Sequence, residues 1–119
     1  MVEINIFKND PDLRTLEAGD VLFREGEEGE VMFAVVDGTL DVSVRGTVVD
    51  QVHAGGIIGE MAILDKAPRS ATVTAASRTT VAPVDRQRFK FYVQVHPTFA
   101  LLVMETMAER LRHARGTTP

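Results

Sequence analysis

Between Asp12 and Asp85 apolar and polar residues alternate in short runs separated by turn residues, and beyond Asp85 the spacing changes to that of a helix. Alternation with a period of two sends successive side chains to opposite faces, so these runs predict strands. Leu13, Thr15 and Glu17 alternate ahead of Ala18-Gly19-Asp20, and Val21 to Arg24 follow. Val31 to Val36 is a mostly apolar strand. Asp37-Gly38 predicts a two-residue hairpin turn, with Leu40, Val42 and Val44 on the inward face of the return strand. Arg45-Gly46-Thr47 turns into Val48, Val49 and Val52, and Ala54-Gly55-Gly56 breaks the chain again. Further on, Ala71, Val73 and Ala75 alternate, and Thr80, Ala82 and Val84 form the last strand. Turn signals recur about every eight to twelve residues, which favours an antiparallel β-roll or barrel over a parallel sheet.

Asp85 is a natural N-cap for a helix from Arg86 to Val95, with Phe89, Tyr92 and Val93 spaced to face a core. His96-Pro97 interrupts it. Thr98 begins a second helix that brings Phe99, Leu102, Val103, Met107 and Leu111 to one side and ends among Arg110, Arg112, His113 and Arg115 before Gly116. Met104 and Met107 are read as apolar contacts with the roll, the ordinary use of such residues. At the amino end Val2, Ile4, Ile6 and Phe7 lead to the turn sequence Asn9-Asp10-Pro11, a segment expected to cover an open end of the roll. The expected fold is mainly β with C-terminal helices, in one domain: a lead-in over 1–11, a jelly-roll-like antiparallel β-roll over 12–85, and helices over 86–116.

Composition supports one domain, since 119 residues with 45% hydrophobic content can bury a core. A net charge of −4 argues against sequence-independent nucleic-acid binding, which requires a basic surplus. Cysteine is absent, which removes disulfides and thiolate metal sites. Met1 to Asp10 lacks the apolar core of a signal peptide, and no apolar run approaches the ~20 residues that cross a bilayer, so a cytoplasmic setting is expected. The loop Glu25-Gly26-Glu27-Glu28-Gly29-Glu30 carries four carboxylates, yet it lacks the alternating ligands of a calcium loop and reads as a solvated turn. Gly19, Gly26, Gly29 and Gly38 are read as turn devices. His53, His96 and His113 stand far apart with no His-x-His pair, so no metal ligands and no catalytic residues are assigned.

The chemistry concentrates in Ile58 to Val73. Gly59 permits close backbone approach to a ligand, and the N–H groups at the start of a short turn from Met61 to Leu64 suit an anion. Arg69 supplies a planar cationic fork for a phosphate. Glu60 is wrong for a phosphate but right for a sugar hydroxyl, because a carboxylate only accepts hydrogen bonds. Opposite charges at Glu60 and Arg69 would also steady each other. The plain alternative is a structural ion pair across a turn, worth little when exposed.

This stretch resembles the phosphate-binding cassette of the cyclic nucleotide-binding domain family, found in bacterial catabolite activators, kinase regulatory subunits and nucleotide-gated channels. The match runs through Ile58-Gly59-Glu60-Met61-Ala62-Ile63 and Pro68-Arg69-Ser70-Ala71-Thr72-Val73, with Ile63 replacing the usual Leu, and Gly26-Glu27-Glu28-Gly29-Glu30 matches an upstream family turn. The resemblance implies that Arg69 pairs with the exocyclic oxygens of a cyclic phosphate and that Glu60 accepts the ribose 2′-hydroxyl. Backbone N–H groups of Gly59, Met61 or Ala62, and Ala71 would complete the cradle, with Ile58 beside it. Ser70 would add a hydroxyl, a feature permissive for guanine. Two departures stand out: only about ten residues precede the roll, where the family carries a helical bundle, and His113-Ala114-Arg115 occupies the place where the transcription-factor branch reads adenine with a hydroxyl residue. Arg110, His113 and Arg115, with Arg112, are therefore the candidate base contacts, a guanidinium stacking on either purine. No residues follow from which a DNA-reading helix-turn-helix could form, so a complete regulator of that type is not expected.

The expected function is a non-enzymatic receptor whose ligand, cyclic AMP or cyclic GMP, draws the C-terminal helices over its base, without a cofactor. Those helices are the expected contact for a protein partner or a second copy. A metal-dependent cupin-like enzyme is the alternative from another class, since small β-barrels host such sites, and a ligand-free interaction module of the same fold is a third.

Overall fold

The computed structural model describes residues 6–114. Eight strands precede or flank one helical turn: β1 (Arg14–Leu16), β2 (Val21–Phe23), β3 (Met32–Asp37), β4 (Thr39–Val44), β5 (Thr47–His53), β6 (Ile57–Ile58), α1 (Met61–Leu64), β7 (Thr72–Ala75) and β8 (Thr79–Val84). Two longer helices follow, α2 (Arg86–Val95) and α3 (Thr98–Ala114). The strands form two four-stranded sheets, in the orders β1-β8-β3-β6 and β2-β7-β4-β5, and every pairing is antiparallel. This is the expected β-roll followed by helices.

The expected inward face of β4 is present, with Leu40 and Val42 buried and Val44 partly so. The expected hairpin at Asp37-Gly38 is not: β3 and β4 belong to different sheets, and Gly38 is the corner where the chain crosses. Its φ is +91°, and a Cβ there would stand 2.4 Å from the Arg78 carbonyl oxygen and 2.5 Å from Thr79 Oγ1. Alternation specifies which face of a strand is apolar, but it does not specify the strand's neighbour. The hairpin lies instead at Arg45-Gly46 between β4 and β5, both residues having positive φ as the tight hairpin turn requires. A bulge beside Val42 and Ser43 shifts the register of β5, and Val48 and Val49 face solvent.

Both β3 and β8 are buried on two sides. Phe33, Val35 and Val81 join Phe23, Leu40, Val42 and Val73 in a core between the sheets. Met32, Ala34, Ala82 and Val84 join Ile57, Ile63, Phe99 and Val103 in a second core beneath the helices. Pro83, which cannot donate to a ladder, lies past the last residue of β8 that β1 pairs, so its missing N–H breaks no pairing on that side.

Asp85 caps α2 as expected, its Oδ1 accepting from the Arg88 N–H at 2.8 Å, and the helix ends at His96. In α3, Phe99 and Val103 are buried and Leu102 and Met107 partly so, but Leu111 is exposed. Arg110 takes the inward place expected for Leu111.

Phe7 is 1% exposed and meets Tyr92 and Phe99 edge-on, with ring centroids 4.5 and 5.5 Å away. The described part of the lead-in therefore packs on the helix-side core. Asp10, read from sequence only as a turn residue, is buried and accepts from Arg88 Nη2 at 2.8 Å and from the Tyr92 hydroxyl at 3.1 Å. Val2 and Ile4 lie outside the described residues.

Burial, and after it the hydrogen bond to Asp10 and the Asp10 charge, raises the Tyr92 pKa above its ordinary 10.0, with Arg88 partly opposing. A folded-state value above the unfolded one gives stability that is complete below the unfolded pKa and is lost as pH climbs through the folded one. Urea unfolding followed from about pH 9 to pH 11 should therefore show an alkaline loss that is smaller in Tyr92→Phe, and the same variant should cost about 1 kcal/mol at neutral pH. Superimposable alkaline slopes in the two proteins would contradict this role.

Candidate functional site

β6 pairs with β3 and delivers the chain to Gly59, whose φ is +80°. The positive φ requires glycine, and a Cβ at Gly59 would also lie 2.7 Å from Arg69 Nη1, which would have to shift. α1 follows. Ala62 and Ile63 are buried, Ile63 in the helix-side core, whereas Met61 is exposed. The Ala62 N–H donates to the Gly59 carbonyl and the Ile63 N–H to the Glu60 carbonyl, each at 3.1 Å. At the far end of α1, Arg86 Nη1 donates to the Ile63 carbonyl at 2.7 Å, joining the first residue of α2 to the cassette.

The connector then passes Lys66, at φ 56°, and returns along the acidic loop. The Arg69 N–H donates to the Glu27 carbonyl and the Gly26 N–H to the Arg69 carbonyl, both at 2.8 Å. Ser70 is exposed, and buried Ala71 leads into β7.

The Arg69 guanidinium lies over the Phe23 ring, 4.1 Å from its centroid. Nη2 donates to the Val31 carbonyl at 2.7 Å, and Nη1 makes a longer contact of 3.5 Å with the Gly59 carbonyl. Nε is buried and has no partner among the described residues. No described carboxylate lies within ion-pairing distance of Arg69, so its neighbours are a ring and neutral carbonyls. Desolvation lowers its pKa, opposed by the charge of Glu27.

Gly29 explains how the guanidinium fits. A Cβ there would stand 2.4 Å from Arg69 Nε and Nη2. Gly29 is absent from the positive-φ glycines, so close approach is its reason rather than the turn conformation expected from sequence.

Glu60 is 4% exposed, and its side chain caps nothing in α1. Its Oε1 accepts from Arg110 Nη1, while Arg110 Nη2 donates to the Ile57 carbonyl at 2.5 Å. The expected partnership of Glu60 with Arg69 is thus replaced by one with Arg110. The two cassette charges flank Gly59 but find separate partners, because α3 brings a cation directly to the carboxylate. From the sequence Arg110 is expected only as a base contact. A signal was available: Val103, Met107 and Arg110 follow helical spacing, so a cation continues the buried stripe.

The other expected residues are less closely placed. Ile58 is buried and paired to Phe33, and His113 and Arg112 are exposed near the end of α3. Arg115 lies outside the described residues. Among the described residues no three His, Asp or Glu side chains are grouped to hold a metal, and no helix is long and apolar enough to cross a membrane. A surface cleft of about 590 Å³ lies between the lead-in turn and α2, but it contains neither Arg69 nor Glu60. Its Arg88 is already paired with Asp10 and Asp12.

Gly29→Ala should push the Arg69 guanidinium away from Phe23 and Val31 and destabilise the domain by about 1 kcal/mol, the order of the cation–π contact it displaces. Urea unfolding and the Arg69 side-chain N–H resonances check this. Unchanged stability together with unchanged resonances would show that the approach is not restrictive.

Residues 13–96 match the family model described as the cyclic nucleotide-binding domain. A cyclic nucleotide-gated potassium channel of Mesorhizobium japonicum is 36% identical over 97 residues, which is 82% of this chain and 27% of the channel. A cGMP-dependent protein kinase of Caenorhabditis elegans is 36% identical over 77 residues, 65% of this chain and 10% of the kinase. The solved catabolite activator protein of Thermus thermophilus shares the fold with a TM-score of 0.76 at 25% identity, over 87% of this chain and 51% of that one. The chain spans no more than 28% of the length of the first curated relatives it matches. With the two-sheet roll, the Gly59 turn and the Arg69 cradle in place, the chain belongs to the cyclic nucleotide-binding domain family.

Proposed function

We propose that this chain is a non-catalytic receptor module for cyclic AMP or cyclic GMP. The observation that carries the reading is Arg69: a partly buried guanidinium with an unpartnered Nε, no described carboxylate to neutralise it, and a glycine on each side making room. A cyclic phosphodiester carries one negative charge and two exocyclic acceptor oxygens, which suits such a fork. Glu60, adjacent to Gly59, is the acceptor for the ribose 2′-hydroxyl. The Ala62 N–H is already engaged by Gly59, so the backbone donors of the cradle are those of Gly59, Met61 and Ala71. Ser70, exposed and next to Arg69 in the chain, adds its hydroxyl in this reading.

Two contacts support transmission from cassette to helices. Arg86 ties α2 to the end of α1, and Arg110 ties α3 to Glu60. A nucleotide that alters the cassette alters the partners of both arginines, and the helices can respond by changing position. Leu101, Met104 and Leu111 form an exposed apolar row on α3, which a protein partner or second copy could read.

Titration calorimetry with each cyclic nucleotide tests the reading. Arg69→Leu should weaken binding at least tenfold, about 1.4 kcal/mol, while the circular dichroism spectrum is retained. Unchanged affinity in a folded Arg69→Leu would overturn the phosphate role. Glu60→Ala should weaken the ribonucleotide and spare its 2′-deoxy analogue, and equal losses for both ligands would remove Glu60 from ribose recognition.

A further inference from the structure

We propose that Glu27 sets which phosphates the cradle accepts: its carboxylate, held beside Arg69 without pairing to it, biases the site toward a phosphodiester with one negative charge and against a phosphomonoester with nearly two. The inference rests on the receptor reading and names the class of ligand that the site refuses.

The geometry begins with the backbone. The Arg69 N–H donates to the Glu27 carbonyl and the Gly26 N–H to the Arg69 carbonyl, both at 2.8 Å, so two bonds fasten the acidic loop to Arg69. The side chain meets the same loop, since a Cβ at Gly29 would stand 2.4 Å from Nε and Nη2. That edge of the guanidinium includes the unpartnered Nε, so an anion that engages it must settle against the loop.

Within the loop, Glu27 is fixed and Glu25 is committed elsewhere. Glu27 Oε1 accepts from the Arg24 N–H at 2.7 Å, which holds the carboxylate to its own turn. Glu25 Oε1 accepts from the Arg45 N–H at 2.8 Å, at the β4–β5 hairpin. No described carboxylate forms an ion pair with Arg69, yet the Glu27 charge opposes the lowering of the Arg69 pKa by burial.

A fixed charge acts on a ligand in proportion to the ligand's own charge. Arg69 alone would attract a dianion more strongly than a monoanion; Glu27 offsets that advantage, because its repulsion doubles as well. One guanidinium neutralises one ligand charge, and the second charge of a monoester then faces Glu27 with part of its hydration removed. Glu27 is itself exposed, so solvent screens it and the bias is modest.

The test is displacement of a fluorescent cyclic nucleotide at about pH 8, where a phosphomonoester is almost fully dianionic. The competitors are cyclic AMP, adenosine 5′-monophosphate and the methyl diester of that monophosphate, which is open like the monophosphate but carries a single charge. Glu27→Gln keeps an acceptor for the Arg24 N–H and removes the charge. It should tighten cyclic AMP and the methyl diester about twofold each and the monophosphate about fourfold, because the second charge repeats the effect of the first. These gains should fade at about 1 M salt, where the Debye length is ~3 Å. Glu28→Gln makes the same change of net charge and should give a smaller gain. Absent gains, equal gains for all three competitors, or equal gains in the two variants overturn the role of Glu27 and leave the receptor reading standing. Failure of both open nucleotides to displace the label from wild type and variant shows that ring shape alone excludes them, which overturns it too. If the wild type binds no cyclic nucleotide, the receptor reading itself fails and this inference with it. Should Glu27→Gln not fold, Glu27→Ala carries the same comparison.

Discussion

The ladder between β3 and β8 is the wall on which the molecule depends, because it separates two apolar cores. Removing apolar area from water on both faces of the same strands leaves little freedom to slide, since a one-residue slip would exchange the two sets of side chains. Everything chemical hangs from this wall. β6 pairs with β3 and delivers Gly59, and the Val31 carbonyl just before β3 receives Arg69. Ile63 and Ile57 are set into the helix-side core, so the cassette shares its foundation with α3.

On that foundation two charges are withdrawn from water, and each is satisfied in a different manner. Glu60 is paired with a cation from the helix, and Arg69 is held by carbonyls, an aromatic face and the space left by Gly29. Breaking the Glu60–Arg110 pair would leave the buried carboxylate uncompensated, so Glu60 cannot change partners without a replacement. The family match at residues 13–96 ends just before α3 begins, so the helix that supplies Arg110 lies outside the part that the family model covers.

The lead-in adds a second fastening of the same kind. Asp10 is buried against Arg88 and Tyr92, and Phe7 fills the space between α2 and α3. The segment before the roll thus touches the helices after it directly, and not through the sheets.

Much of this was legible in the residues. The period of two from Leu13 to Val84 determined strands, Asp85 and Pro97 determined where the helices start and break, and Ile58 to Val73 carried the family likeness, because strand, cap and turn chemistry are local and repeat within a few residues. Tertiary structure alone decided the rest. Asp37-Gly38 has the chemistry of a hairpin, and only the packing of two sheets made it a corner. Gly29 resembles any turn glycine until Arg69 is laid across it. Glu60 and Arg69 attract each other on paper, yet Arg110, fifty residues away, reaches the carboxylate first. Such pairings depend on which surfaces meet after the chain has folded, and a one-dimensional pattern records the faces of an element without recording what will be set against them.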